Sequence, residues 1–470
     1  MNEGVIVAPP FADLDRAAFY GLVGDFASTI EPFSEACNAS IIVQYLTMFG
    51  CAAGRSAYRM VGRTRHHTNV FCVVVGPTSA SRKGSSTDWV KDQSTFADPS
   101  FQIRGGLASG EGLLHHVRDA RIDDVRDKRT GELRPGKVDL GVDDKRLMVF
   151  ESELSKVLSV CEREGTTLSE AIRQAWDSGA LGSLGKQSKD RATGAHIAII
   201  AQITPLELSE RLLPLNMVNG FANRFLWVFA WRTKFLANPG EPSFRKMNDL
   251  AQRLRQALTF ARTVKEMSYS PEVLAFNEAI YPRLDVSRPG LLGALLGRAA
   301  PQVLRLALNY ALLHLSSQVE VAHYCAVLAV WEYCERSARY LFNSTTGNPN
   351  ADKIIATLLA NRERGLTRTQ ISDLFRRNAN TADIETALEL LRKEGLAGFE
   401  KVPTGGAPVE RWRATGKEVA SSESYLSLLR SFKPSPRALR RLAAAEERSL
   451  KQRARNEALR EKQGWRPMES

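Results

Sequence analysis

Residues 73–90 read VVVGPTSASRKGSSTDWV: an apolar run stops at Gly76-Pro77, passes through small hydroxyl residues to Arg82-Lys83, and resumes with the spacing of a helix. This is the outline of a phosphate-binding loop. In its standard form, G-x-x-x-x-G-K-[ST], backbone N–H groups and a helix N-terminus cradle the phosphates, the lysine reaches the β- and γ-phosphates, and the hydroxyl holds magnesium. Counted from Gly76, the second glycine and the lysine are replaced by Ser81 and Arg82, and Lys83 arrives one residue late, followed by Gly84-Ser85-Ser86. The strict pattern fails, and an ordinary strand-to-helix connection has the same outline, so neighbouring segments must decide.

Working outward, Val70–Val75 is the strand entering the loop, and the segment from Asp88 onward is expected to be the helix leaving it. Further short apolar runs at Leu147–Phe150, Ile197–Ala201 and Phe225–Trp231, separated by helical patterns, predict a parallel sheet covered on both faces. The expected fold class is α/β, with a P-loop NTPase core. Residues 1–60 read as a helical region, 61–238 as the core, and 239–345 as an almost wholly helical lid. Between them, 119–145 is polar and turn-rich and predicts an exposed hairpin, and Thr167-Leu-Ser-Glu170 has the form of a capping box. Residues 351–415 give three helices and two strands around Thr404-Gly405-Gly406, the order of a winged helix-turn-helix. Residues 416–470 form a basic tail, read as a solvated helix or a disordered segment.

A phosphate-loop ATPase needs a carboxylate at the end of a neighbouring strand to hold the magnesium shell, and a second to orient water. Glu151 and Glu153 follow Leu147–Phe150, and both would face one side if the strand continued through them. Gln202, which ends the next strand, or Thr204 fits a γ-phosphate sensor. Arg224, ahead of Phe225–Trp231, stands where a finger arginine would cross a subunit interface, and Arg298 and Arg305 lie two helical turns apart. Gly76, Lys83, Gly84, Ser85 and Ser86, with Arg298 and Arg305, are therefore the expected nucleotide-binding residues. Glu151, Glu153, Gln202 and Arg224 are the expected catalytic set, with Ser85 and Glu151 as Mg2+ ligands and ATP as the nucleotide.

The run DKRLMVFESELSKVL, with REGTTLSEAIRQAWDSG, ATGAHIAIIAQIT and NGFANRFLWV, resembles the primase-associated helicase-like ATPases encoded by phages, plasmids and actinobacterial chromosomes. The likeness covers roughly residues 15–415 and is most specific over 144–230. It implies a P-loop ATPase and suggests a role in replication. The chain is more distantly similar to the MCM-like branch of AAA+ ATPases. There Lys83 matches the loop lysine, Glu151 and Glu153 stand where adjacent Asp-Glu is usual, Arg224 matches the finger, and Arg298 with Arg305 match the sensor helix. The shifted loop and the Glu-x-Glu spacing are departures, and they make nucleotide binding a firmer expectation than rapid hydrolysis. Only about sixty residues precede the core, so primase activity is not expected.

A net charge of +12, from 64 Lys and Arg against 52 Asp and Glu, favours an anionic partner. Residues 430–470 alone hold twelve Lys and Arg against five Glu. DNA is the expected partner, contacted by Lys186 in the core and by Asn380, Thr381, Lys401, Arg411 and Arg413 in the winged helix, with Leu390, Leu391 and Trp412 in its core. Ring-forming self-association is expected from the trans role of Arg224. Six dispersed cysteines without C-x-x-C spacing read as free thiols, and the pairs His66-His67 and His115-His116 as solvent-facing side chains. No leader-like or membrane-spanning run is legible, which predicts a cytoplasmic protein without a membrane partner. The reading is an ATP-dependent DNA motor, a replicative helicase or initiator of a mobile element. The alternative is a degenerate nucleotide-binding DNA adaptor or a helicase loader.

Overall fold

The computed structural model describes residues 8–78, 81–126, 133–182, 190–212, 219–285, 290–342, 348–361, 364–375, 380–393, 395–403, 408–415 and 424–462. Its centre is a five-stranded parallel sheet: β1 (Phe71–Val75), β2 (Ile103–Arg104), β3 (Arg146–Glu151), β4 (His196–Ile203) and β5 (Phe225–Phe229). The spatial order is β5-β1-β4-β3-β2, so β4 is inserted between the first and third strands. β1, β4 and β5 are buried along their whole length, the burial expected of near-continuous apolar runs in a sheet covered on both faces.

Three helices position the features that matter. α1 (Asn38–Ala53) is buried from Ala39 onward, and α2 (Lys83–Ala97) leaves the loop after β1. α3 (Leu168–Asp177) precedes β4; its expected capping box does not form, because Thr167 makes no side-chain cap bond. Segment 119–145 does contain an antiparallel hairpin, Arg121–Arg126 against Leu133–Asp139.

The helical region before the sheet and the one after it do not have cores of their own. One hydrophobic cluster runs from Leu14 through α1 and the sheet into α4 (Ala299–Leu313) and α5 (Val321–Phe342), ending at Leu429. α1 is apolar almost all round, so it can only be stable inside such a cluster.

A second, separate cluster holds residues 351–412. Helices Pro349–Ala360, Arg368–Asp373 and Thr381–Lys393 surround Ile354, Leu358, Ile371, Leu388 and Leu391. A three-stranded antiparallel sheet, with Leu366–Thr367, Val409–Ala414 and Ala397–Val402 side by side, closes it through Trp412.

The chain then returns to the main body. Helix Tyr425–Ser431 buries Tyr425, Leu426 and Leu429, and Glu332 on α5 accepts hydrogen bonds from Ser424 Oγ at 2.8 Å and Leu426 N at 2.9 Å. A 27-residue helix, Pro436–Lys462, follows. The described part of the expected tail is therefore ordered and docked. Among the described residues no helix is long and apolar enough to cross a membrane.

Candidate functional site

In an open parallel sheet, ligands bind outside the carboxyl ends of the strands where neighbouring connections diverge. Here that edge gathers the loop after β1, the acid ending β3 and the glutamine of β4. The registers fix their levels: Ile203 lies opposite Val75, and Glu151 opposite Ala201. Glu151 and the loop are thus about 10 Å apart laterally, two strand spacings, with Gln202 between them.

Gly76 packs where no side chain fits. A Cβ there would stand 2.4 Å from Ala230 O and 2.6 Å from Ser81 Cβ, and its N–H donates to Ile203 O at 3.2 Å. At the far end of the loop Arg82 has φ 53°, in the left-handed region. That conformation costs a non-glycine residue free energy. It is held by Glu35, whose carboxylate accepts from Arg82 Nε, lies 3.5 Å from Arg232 Nε, and also accepts from Leu236 N at 2.7 Å. The missing glycine before Lys83 is thereby replaced by a strained arginine with an anchored side chain.

Lys83 begins α2, and its Nζ donates to Gly76 O, closing the loop on itself. Burial pulls its ammonium down to about 8, opposed by the charge of Glu207. Glu207 caps the helix after β4 in a true capping box with Thr204 and accepts from Ser155 Oγ at 3.2 Å. Gly84 and Ser85 are exposed on the first turn of α2. Ser86 is not. Its hydroxyl donates to Lys83 O at 2.7 Å and lies 3.0 Å from Ser40 Oγ and 2.9 Å from Gln44 Nε2.

Thr87 extends this network: its hydroxyl bonds Gln44 Oε1 and accepts from Gln202 Nε2 at 2.8 Å. Ser40, Gln44, Ser86, Thr87 and Gln202 are all buried. Together they lock α1, the first turn of α2 and β4 into one frame. Ser86 and Gln202 are therefore parts of that frame, through the Ser86 hydroxyl and the Gln202 amide nitrogen.

The two acids separate. β3 ends at Glu151, and the backbone turns at Glu153 into the helix Leu154–Cys161, so the condition for a shared face is not met. Glu151 is buried, and its Oε1 accepts from Gly106 N and Leu107 N, both at 2.6 Å. Glu153 is exposed and pairs with Lys156 at 2.7 Å. Magnesium takes few protein ligands alongside phosphate oxygens and water. Glu151 and the exposed Ser85 hydroxyl suit that role, whereas Ser86 does not. Among the described residues no group of three or more His, Cys, Asp or Glu could hold a metal by itself.

The three arginines lie at the other edge. Arg224 immediately precedes β5, whereas Gly76 follows β1, and Phe225 is level with Phe71. Six strand residues, about 20 Å, separate Arg224 from the loop. Arg224 is buried, donates to Gly220 O and pairs with Asp177 at the end of α3. Gly220 has φ 85°, and a Cβ on it would lie 2.7 Å from Arg224 Nη1, so only glycine admits this approach. Arg298 shares Asp177 at 3.2 Å.

Arg305 is 2% exposed, and its Cζ lies 3.6 Å from the Trp176 ring centroid. It donates to Asn69 O at 2.8 Å, Asn69 Oδ1 at 3.1 Å and Trp176 O at 2.8 Å. Such a side chain is an internal strut, and its assignment as a nucleotide ligand is corrected on that ground. Sequence order held the signal: in a parallel sheet, residues preceding a strand and residues following one lie at opposite edges.

The histidine expectation is also corrected at one pair. His67 is buried beside His196, and burial lowers the pKa of both, that of His196 to about 3. His115 and His116 are exposed.

In the C-terminal unit, Asn380 Oδ1 accepts from Asp383 N at 2.8 Å, a helix cap, and Thr381 is exposed beside it. Lys401 is exposed, Arg411 donates to Arg364 O at 3.1 Å, and Arg413 pairs with Glu400 at 3.1 Å. Lys186 lies outside the described residues. Sequence reasoning missed Glu35, Arg82, Ser40, Gln44 and Glu207; only the i, i+4 pair Ser40/Gln44 inside an apolar helix carried a legible signal. No protein-family model matches the chain, and no curated protein matches it in sequence.

Proposed function

We propose that the chain is a P-loop nucleotide-binding protein of AAA+-like build that couples ATP to DNA. One observation carries this reading: the order β5-β1-β4-β3-β2 sets a glycine-closed loop, a lysine at a helix start and a buried strand-end carboxylate around one edge of a parallel sheet. Phosphates entering there would meet the N-terminus of α2 and displace Lys83 Nζ from Gly76 O. Ser85 and Glu151 would hold Mg2+, which supplies charge neutralisation at the phosphates. The 348–415 unit, read as a winged helix, offers Lys401 and Arg413 to the phosphate backbone, contacts that give affinity without reading sequence.

Arg224 would serve a neighbouring copy in a ring only after leaving Asp177. The resemblance to primase-associated ATPases agrees with a replication motor of a mobile element. ATP binding and turnover, measured with and without single- and double-stranded DNA, test the reading. Lys83→Ala should abolish binding, and Glu151→Gln should abolish turnover. Unchanged behaviour of Lys83→Ala would refute it.

A second reading has its own support. Gln202 is committed to Thr87, and Glu153 is exposed and paired away from the loop. These fit a protein that binds ATP as a structural or regulatory ligand and hydrolyses it slowly. Tight binding without DNA-stimulated turnover would favour it.

A further inference from the structure

The helix Pro436–Lys462 is two-faced, and its docked face is settled by contacts. Leu442 is buried, Glu446 accepts from Arg59 Nη1 at 2.6 Å, Arg453 pairs with Glu266 at 2.8 Å, and Glu457 with Arg65 at 3.0 Å. At 100° per residue, Arg437, Arg440, Arg448, Lys451, Arg455 and Lys462 fall in a sector about 100° wide on the opposite side. All six are exposed, and Arg441 in the same sector pairs only loosely, 3.4 Å from exposed Glu278. Lys451 bonds Glu447 one turn earlier, while the other five have no ion-pair partner among the described residues.

From Arg437 to Lys462 the row runs about 38 Å, close to one turn of B-form DNA. Glu446, Glu457 and Arg453 face the protein, while the row of cations, with Glu447 at its margin, faces solvent.

From this geometry we infer that the outer face of Pro436–Lys462 is a rail for the phosphate backbone of double-stranded DNA, fixed to the ATPase body. The inference rests on the DNA part of the function proposed above, and it replaces a loose basic tail with a rigid surface. Three observations select the duplex. A straight row of cations matches regularly spaced phosphates. Residues 436–462 contain no aromatic side chain, and aromatic stacking is what sequence-tolerant single-strand binding relies on. The apolar side of the helix is packed on the protein, leaving Leu459 as the single large exposed apolar residue, so no face remains to enter a membrane.

The test uses the full chain and a 20-base-pair DNA duplex, the matching single strand and an RNA duplex, followed by fluorescence anisotropy across salt. The quadruple variant Arg437→Gln, Arg440→Gln, Arg448→Gln, Arg455→Gln alters only exposed side chains and should keep the wild-type melting temperature. It should bind duplex DNA about 10- to 100-fold more weakly, with the slope of log K against log salt reduced by about 3 to 4. Wild-type affinity and slope in that variant would overturn the rail. So would tighter binding of the native protein to the single strand or to RNA, or rail-dependent binding to phosphatidylserine vesicles in place of DNA. The pair Lys401→Gln, Arg413→Gln separates the two claims. If only that pair weakens binding, the DNA reading stands and the rail fails; if the native protein binds no DNA, both fail.

Discussion

The two edges of the parallel sheet are built from opposite materials. At the carboxyl edge the polar groups are backbone N–H donors, small hydroxyls, Gln202, Lys83, Arg82 and the carboxylates Glu35, Glu151 and Glu207, around a loop whose geometry depends on Gly76 and Arg82. At the amino edge they are long cations and histidines buried against Trp176, Asn69 and Gly50. At the first edge the contacts are links within one loop; at the second, Arg224, Arg298 and Arg305 are each tied to a carbonyl or to Asp177, beside an open cleft of about 380 Å³ lined by Arg55, Arg146 and His196. Cationic residues that look alike in the sequence therefore sit differently: Lys83 closes a loop at the sheet edge, and Arg305 braces the interior.

The strongest way to break this contrast is Arg305→Met. Removing a buried cation strands Asn69 O, Asn69 Oδ1 and Trp176 O, and should cost about 3–5 kcal/mol in denaturant unfolding. A loss below about 1 kcal/mol would show that Arg305 does not brace this edge.

Acid should act on the same edge. The pKa of buried His196 is depressed to about 3, against about 6.5 when unfolded. A base whose folded pKa is lowered stabilises fully above its unfolded value and loses that contribution as pH falls below it. The melting temperature should fall steadily from pH 6.5 toward 4, at a cost of a few kcal/mol. A flat profile would mean that His196 and His67 accept protons where they sit.

At the carboxyl edge, Gly76→Ala should lower nucleotide affinity at least about tenfold in equilibrium titration, because its Cβ cannot fit between Ala230 O and Ser81. Alkali should act here too. Lys83 titrates near 8, so nucleotide binding should weaken as pH rises from 7.5 to 9.5, by up to about tenfold per unit above 8. Lys83→Arg, which keeps its charge, should flatten that profile. The smallest effect should come from Asp177→Asn, about 1 kcal/mol in thermal unfolding, since Asp177 is 40% exposed and screened. Any larger change in ATP turnover at high protein concentration would mark Arg224 as acting between copies.

The strands were legible because apolar runs such as Phe-Cys-Val-Val-Val leave little choice but a doubly covered strand, and the three-helix unit because its turns and caps are local. The loop was legible as a glycine-to-lysine passage, but its strain was not. Arg82 takes a left-handed backbone because Glu35, forty-seven residues earlier, holds its side chain, and no local pattern encodes that contact. The pairing of Glu151 and Glu153 depended on where a strand stops, which alternation alone does not fix. The burial of His67 was equally hidden, since a short hairpin with mixed polarity reads the same whether it lies in solvent or under a helix such as Pro436–Lys462.

The 348–415 unit leaves the main body by α5 and returns to it through Tyr425–Ser431, whose first turn is bonded to Glu332 on that same α5. Both of its connections therefore converge on one helix of the main body, α5. α5 in turn packs against β5, the edge strand of the sheet. Any load on the unit would thus enter the main body at one helix that lies against the sheet.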